Sequence, residues 1–336
     1  MAPGKHWSRV LLLFCFFHLA LTFVALSVGP TAVEFNDCLT TFVRYSDDNV
    51  SHFAIWHLRL PRALVASLIG GSLAVSGVIM QGLTRNPLAG PTMMGLSPGA
   101  SLVMLIGLIG LPNLSMNTSI LLSFLGAFGG YLTVCFVAYA TPGGFTPTKL
   151  ALAGSVVSGV VTGFTHVTTV LFSLHDEMLY WTVGGIANVS WVQVWQILPF
   201  SLCGLVLALL ISTGLTSLSI GKEASIGIGN RVTQIRILGS LAVLLLTSSV
   251  VAVAGPVAFV GLMIPHIAKG LVGARYTQLI LLSMVLGASL TLLSDMISRI
   301  LTAGEEVPLG LMTTLVGAPF LVYLVLARPI TLEARP

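Results

Sequence analysis

His166, His266 and Asp295 are the main ionisable residues lodged in the long apolar runs of this 336-residue chain. A charge or proton carrier held in hydrocarbon is costly, so such residues mark solute paths, ion sites or proton relays by default. A relay needs several of them in series, and Asp295 lies near the end of its run. His166 keeps two readings: a packed histidine satisfied by a backbone carbonyl, or a residue of a path. His266 directly follows Pro265 and reads as the organiser of a helix break.

Covalent and metal chemistry lack their residues. The "HDE" at 175–177 falls on a connection, and no His-x-x-x-His pair occurs. Cys15, Cys38, Cys135 and Cys203 are widely spaced, with no pair at metal-ligand spacing, and are expected to be small core residues. Gly221-Lys222 looks like the end of a Walker loop. Glu223, however, stands where Ser or Thr is required, and Thr216 where the first glycine belongs. No catalytic residue, metal or cofactor is expected in this chain.

The elements that must position these residues are membrane spans. Hydrophobic residues make up 55% of the chain and charged residues 8%, with a mean hydropathy of +0.99. Soluble domains carry about 25% charged residues, so a soluble fold is excluded. A charge-poor stretch of about 20 residues crosses roughly 30 Å of hydrocarbon as a helix. Such stretches lie near 9–29, 62–83, 96–111, 118–140, 149–173, 192–213, 236–254, 256–273, 276–301 and 308–327. The expected fold is an all-α polytopic membrane protein of about ten transmembrane helices. The first stretch could be a secretory signal, with Lys5 and Arg9 ahead of the run 10–26. It is longer than a usual signal core and lacks a clean small-x-small cleavage site, which favours a retained helix.

Basic residues orient the spans. With both termini cytoplasmic, Lys5, Arg9, Arg85, Lys149, Lys222, Arg231, Arg236, Lys269, Arg275, Arg328 and Arg335 all fall inside. Only Arg44, Arg59, Arg62 and Arg299 fall outside. The net charge of +4 then reflects cytoplasmic anchoring and not nucleic-acid binding. Two readings of the outer arginines stay open. One is snorkelling together with an i,i+4 Asp295–Arg299 pair; the other is an outward-facing basic cluster that docks an acidic partner.

Two proline- and glycine-rich stretches interrupt the spans. "LAGPTMMGLSPGA" at 88–100 is echoed by "VAGPVAFVGLMIPH" at 253–266. In the assumed orientation the first lies at the inner side and the second at the outer side. This is the arrangement of two inverted halves, with spans within 62–173 and within 236–327, and breaks at matching positions point to a transport path. Backbone groups freed by proline cannot face lipid and must be buried in protein or line a cavity. Asn86, Pro87, Pro91, Gly95, Pro256, Pro265 and His266 are therefore candidate path residues. The cytoplasmic segment 214–235 reads as one or two short amphipathic helices, split near Gly227 and Gly229. Neither it nor the outer polar segment 30–58 reaches domain size. Residues 1–336 form one transmembrane domain, and any engine must come from another chain.

At these residues the chain resembles the FecCD-type permeases, membrane subunits of ATP-binding-cassette importers for iron–siderophores, haem and cobalamin. The stretch "RLPRALVASLIGGSLAVSGVIMQGLTRNPLAGPTMMGLSPGA" looks like that family's second and third spans. "GPVAFVGLMIPHIAKGLVG", "LLSDMISRI" and "EVPLGLMTTLVGAPFLVYLV" follow its C-terminal half in order. "SIGKEASIGIG" looks like its cytoplasmic coupling segment, and "YWTVGGIANVSWVQV" like its stretch before the sixth span.

The resemblance implies a permease of ten helices, paired as a homodimer or with a close paralogue. It implies two ATPase subunits below and an extracytoplasmic substrate-binding protein above, in a bacterial cytoplasmic membrane. It implies that Arg59, Arg62 and Arg299 meet acidic residues of the binding protein. By the same resemblance Gly221, Lys222, Glu223, Ala224 and Gly227 seat in the ATPase, and Thr162, His166 and Thr169 lie near the gate. Lys222 departs from the acidic residue more usual at its position. The competing reading is an ion-coupled secondary transporter, which should show more midmembrane carboxylates or histidines than this chain has. An iron complex is the expected substrate, by analogy with the family.

Overall fold

The structure, a computed structural model, describes residues 6–29, 33–46, 48–111, 114–142, 147–187, 189–301 and 307–327. Lys5, Arg328 and Arg335, all used for orientation, lie outside the described residues, as does the side chain of Lys222. The regular secondary structure of the described residues is all helix, without a strand. Each of the ten apolar stretches is a helix: α1 (His6–Ser27), α4 (Leu60–Thr84), α5 (Leu96–Gly110), α6 (Met116–Ala140), α7 (Pro147–Leu171), α9 (Trp191–Leu210), α12 (Val232–Ala254), α13 (Val260–Val272), α14 (Tyr276–Leu301) and α15 (Leu309–Ala327). Between them lie the shorter α2 (Phe35–Val43), α3 (Val50–Phe53), α8 (His175–Val183), α10 (Ser212–Ile220) and α11 (Lys222–Gly227).

Seven of the described helices are long and apolar enough to cross a membrane. α5, α13 and α15 are apolar but shorter. At 1.5 Å per residue, α13 with its 13 residues is only about 20 Å long, short of the roughly 30 Å of a hydrocarbon core. The second span is longer than its apolar core suggests. It runs unbroken from Val50 to Thr84, through α3, a π turn at Ala54–Arg59 and α4. π turns inside helices recur at functional positions, because the extra residue re-aims the side chains that follow.

α4 is the axis of the bundle. Nearly all of its side chains are buried, and α9, α12, α13 and α14 pack around it. Lipid supplies no hydrophobic force between helices, so packing depends on small residues that let backbones approach. A Cβ on Gly70 would lie 2.1 Å from the Gly287 carbonyl, and one on Gly287 would lie 2.3 Å from that of Gly70. Thr291 Oγ1 then donates to the Ala66 carbonyl at 2.7 Å, joining α14 to α4. α5 and α6 meet in the same way, Gly95 and Gly99 facing Gly126 and Gly130.

The cysteine expectation holds only in part: Cys38 and Cys135 pack in or against the core. Only Cys38 is fully buried; Cys15 and Cys203 sit on exposed faces, and all four are free. A thiol is small and apolar enough to face lipid as readily as a core.

Candidate translocation path and partner faces

The two broken segments differ in how they end their helices, but both turn through left-handed backbone. α4 stops at Arg85, whose φ is 52°. Asn86 closes the turn, its Oδ1 accepting the Leu88 N–H at 2.9 Å. Pro91–Met94 form a single 3-10 turn, and Gly95 at φ 70° redirects the chain into α5. The second segment leaves α12 at Gly255, φ 68°, and enters α13 through Phe259, φ 66°. A bulky residue at positive φ is strained and persists only where its surroundings over-determine it. Here they do: the Phe259 side chain lies against Gly317 of α15, where a Cβ would come within 2.2 Å of it.

These segments converge. A Cβ on Gly261 would lie 2.9 Å from the Pro91 ring and 2.7 Å from the Leu73 carbonyl. Gly77 of α4 is so close that its Cβ would fall 1.8 Å from the Gly261 carbonyl. Leu73 and Gly77 lie mid-helix, so the chain that leaves α4 at Arg85 folds back beside α4 to reach Gly261. Pro91, Gly95 and Pro265 are buried, while Pro256 and His266 are half-buried and Asn86 and Pro87 are exposed. Gln81, which the motif comparison passed over, bridges α4 to α13 by donating from Nε2 to the Leu262 carbonyl at 3.2 Å. Its polarity inside an apolar run was the available signal. His266 packs edge-on to Phe320 of α15, ring centroids 6.3 Å apart.

α7 packs on the 3-10 turn with one side. Its other side is open. Ser155, Gly159, Thr162, Gly163 and His166 follow one another at helical spacing, all exposed, and nothing stands within 4 Å of a Cβ at Gly159 or Gly163. Thr169 does not join this stripe. It is buried, with Oγ1 donating to the Thr165 carbonyl at 2.9 Å.

The arginines Arg59, Arg62 and Arg299 come together at one end of the bundle, but they turn inward. Arg62 Nε donates to Asp295 Oδ1 at 2.9 Å, and Arg299 Nη2 lies 3.0 Å from Asp295 Oδ2. Arg59 Nη1 donates to the Leu26 and Ser27 carbonyls at 2.8 and 2.9 Å; Arg299 Nη1 donates to Val28 O at 3.0 Å. Arg59 and Arg62 are only 6% and 9% exposed; of the two readings of these arginines, the Asp295–Arg299 pair is formed and the outward display is not what the fold makes. The last carbonyls of a helix have no partners of their own and carry partial negative charge. Arg59 and Arg299 satisfy those at the end of α1, and Asp295 offsets charge on Arg62 and Arg299.

At the opposite end, α9 runs almost directly into α10, and the chain turns at Gly221 into α11. The split expected near Gly227 and Gly229 thus falls earlier, between the two helices, and Gly229 at φ 84° reverses the chain after α11. α10 is tied to both central helices. Arg85 Nε donates to Leu218 O at 3.1 Å, the Tyr276 N–H donates to Thr216 Oγ1 at 3.1 Å, and Ser212 and Thr277 share a hydroxyl bond of 2.7 Å. Around α11, Glu223, Ala224 and Gly227 are exposed. So are Ile220, Ile226 and Ile228, at 78%, 53% and 70%. Three exposed isoleucines on so short a segment form an apolar knob.

An all-helical bundle with two broken segments meeting at its axis is a membrane transport architecture. The FecCD transport family matches residues 16–327, and the chain belongs to that family. It is 39% identical over 302 residues, 90% of this chain and 79% of the other, to the iron(3+)-hydroxamate import system permease protein FhuB of Bacillus subtilis. It is 35% identical to the iron-uptake system permease protein FeuB of the same organism, across 96% of this chain and 97% of that one. Among solved structures it is similar to an inward-facing metal-chelate type ABC transporter. The TM-score there is 0.85 and the identity 25%, over 96% of this chain and 100% of that one. The chain is a permease subunit of an ATP-binding-cassette importer, a transport component and not an enzyme. Such a subunit works with ATPase and substrate-binding partners.

Proposed function

We propose that this permease carries a ferric chelate, of the siderophore class, across a bacterial cytoplasmic membrane. The observation that supports this most is the pair of relatives above, iron-uptake permeases aligned along at least 90% of this chain. Ten helices cross the bilayer in this reading, with both termini and the α10–α11 end on the cytoplasmic side. Two copies, or this chain and a close paralogue, face each other across α7. The stripe from Ser155 to His166 lines the path between them, and the 86–95 segment, which meets the 255–266 segment, backs α7 from within the bundle.

Drive comes from outside the chain. The knob of Ile220, Ile226 and Ile228, with Gly221, Lys222, Glu223, Ala224 and Gly227, seats in the ATPase. Movement of α10 passes through Arg85 to the inner end of α4, and through Thr216 and Ser212 to the start of α14. At the other end, Arg59, Arg62 and Arg299 serve docking of the binding protein from within. They hold the ends of α1, α4 and α14 as one rigid face. Conformational change in this scheme is a shift of packed helices between two arrangements.

The test is substrate stimulation of ATP hydrolysis. The permease, its ATPase and its binding protein would be reconstituted together and offered ferric hydroxamate, ferric citrate, haem and cobalamin in turn. A rise in ATPase rate with ferric chelates and none with the other two is expected. Stimulation by cobalamin or haem alone would reassign the substrate.

A further inference from the structure

By composition, residues 30–58 read as a polar aqueous connection, yet α2 within it is built inside out. At 3.6 residues per turn, Phe42, Phe35, Leu39 and Val43 fall in one arc about 100° wide. All four are exposed, by 49%, 61%, 48% and 82%. The side turned to the protein is the polar one. Thr41 is buried and its Oγ1 donates to Asp37 O at 2.6 Å. Cys38 is buried, its Sγ 3.3 Å from Ser27 Oγ. Thr40 Oγ1 lies 3.1 Å from His52 Nε2, and His52 Nδ1 accepts the Ser46 N–H at 3.2 Å. A surface helix in water does the opposite, with its apolar stripe on the core.

A second feature adjoins this arc. Trp56, on the π turn, holds Phe42, Tyr45 and Trp191 around it, ring centroids 6.1, 6.2 and 5.7 Å away. Trp191 Nε1 donates to the Trp56 carbonyl at 3.0 Å. Trp and Tyr gather where hydrocarbon gives way to headgroups, because each ring has an apolar body and a polar tip. α2 also packs on α1, whose Leu12, Leu13, Phe16, Phe17, Leu19 and Val24 are exposed along a membrane-crossing length. The apolar arc therefore adjoins a surface that is itself in lipid.

We infer that α2 lies in the lipid leaflet at the arginine end of the bundle, its Phe35–Leu39–Phe42–Val43 face against acyl chains and the Trp56 cluster at headgroup level. The occupant of this face is phospholipid, and the segment is an interfacial anchor for the π turn that carries Arg59. An interfacial helix with its apolar face buried at the headgroup–acyl boundary has the same build.

Photo-crosslinking tests this with the full chain in phospholipid vesicles. Benzoyl-phenylalanine would replace Phe35, Leu39, Phe42 or Val43 in turn, with Glu34 and Asp37 as positions outside the apolar arc and Leu125, exposed on α6, as a lipid-facing reference. Phospholipid adducts at the four apolar positions should match the yield at Leu125 and exceed that at Glu34 and Asp37 several-fold. Adducts to a second polypeptide at those four positions, or yields no higher than at Glu34, would overturn the inference.

Discussion

Asp295 binds two arginines at once, Arg62 one residue after the proline of α4 and Arg299 one turn along its own helix, at 2.8 and 3.0 Å. The carboxylate is 1% exposed. Removing one partner of a buried ion pair leaves an uncompensated charge and costs about 3–5 kcal/mol. Asp295→Asn is therefore expected to lower the unfolding temperature of the purified chain sharply, measured in detergent or lipid. Asp295→Glu, which keeps the charge, should recover part of the loss. Equal stability in all three would show that the pairing carries no weight.

Gly70 and Gly287 predict a position-specific effect of a single methyl group. Alanine at either would strike a facing backbone carbonyl, whereas alanine at Gly159 meets open space. Overpacking a tight contact costs about 1–3 kcal/mol. Gly70→Ala and Gly287→Ala should each destabilise the chain by about that much, while Gly159→Ala leaves thermal stability unchanged.

The exposed isoleucines near α11 offer a partner-face test. Each Ile buried at an interface contributes about 1.5–3 kcal/mol. Ile226→Ser with Ile228→Ser should leave the fold intact, since both side chains are exposed. Affinity for the ATPase should fall by tenfold or more. Isothermal titration or co-purification reads the difference.

Arg85 supplies a test of transmission. Arg85→Gly preserves the left-handed backbone at φ 52°, which glycine adopts freely, and removes the bond to Leu218 together with a positive charge near Arg236. Transport per ATP hydrolysed should drop while ATPase assembly persists. A proportional loss of both would place Arg85 in assembly and not in transmission.

Much of this architecture could be read from residue order alone, since hydrocarbon admits few alternatives to the helix. What could not be read depends on partners distant in sequence. Arg62 meets an aspartate 233 residues away, and Arg59 meets carbonyls at the end of α1. Composition marked these arginines as an anomaly but gave no direction to their side chains. The start of α13 shifted to Val260 because Gly255 and Phe259 turn through left-handed backbone, and nothing in the type of Phe259 signals that. α2 was hidden for another reason. Its average polarity suits an aqueous loop, and only the periodicity of Phe35, Leu39, Phe42 and Val43 sets it apart. The paired Ala-Gly-Pro motifs marked both breaks but were expected at opposite sides of the membrane, so the meeting of Pro91 with Gly261 was not legible.

Uptake of radiolabelled ferric chelate into vesicles tests the central claim most directly. The vesicles would contain the permease and its ATPase, with loaded binding protein on one side and ATP on the other. Accumulation that requires ATP and binding protein together, and is indifferent to an imposed proton or sodium gradient, is the predicted result. Uptake by the permease alone, driven by such a gradient without ATP, would contradict it and turn attention to His166 and Asp295 as ion carriers.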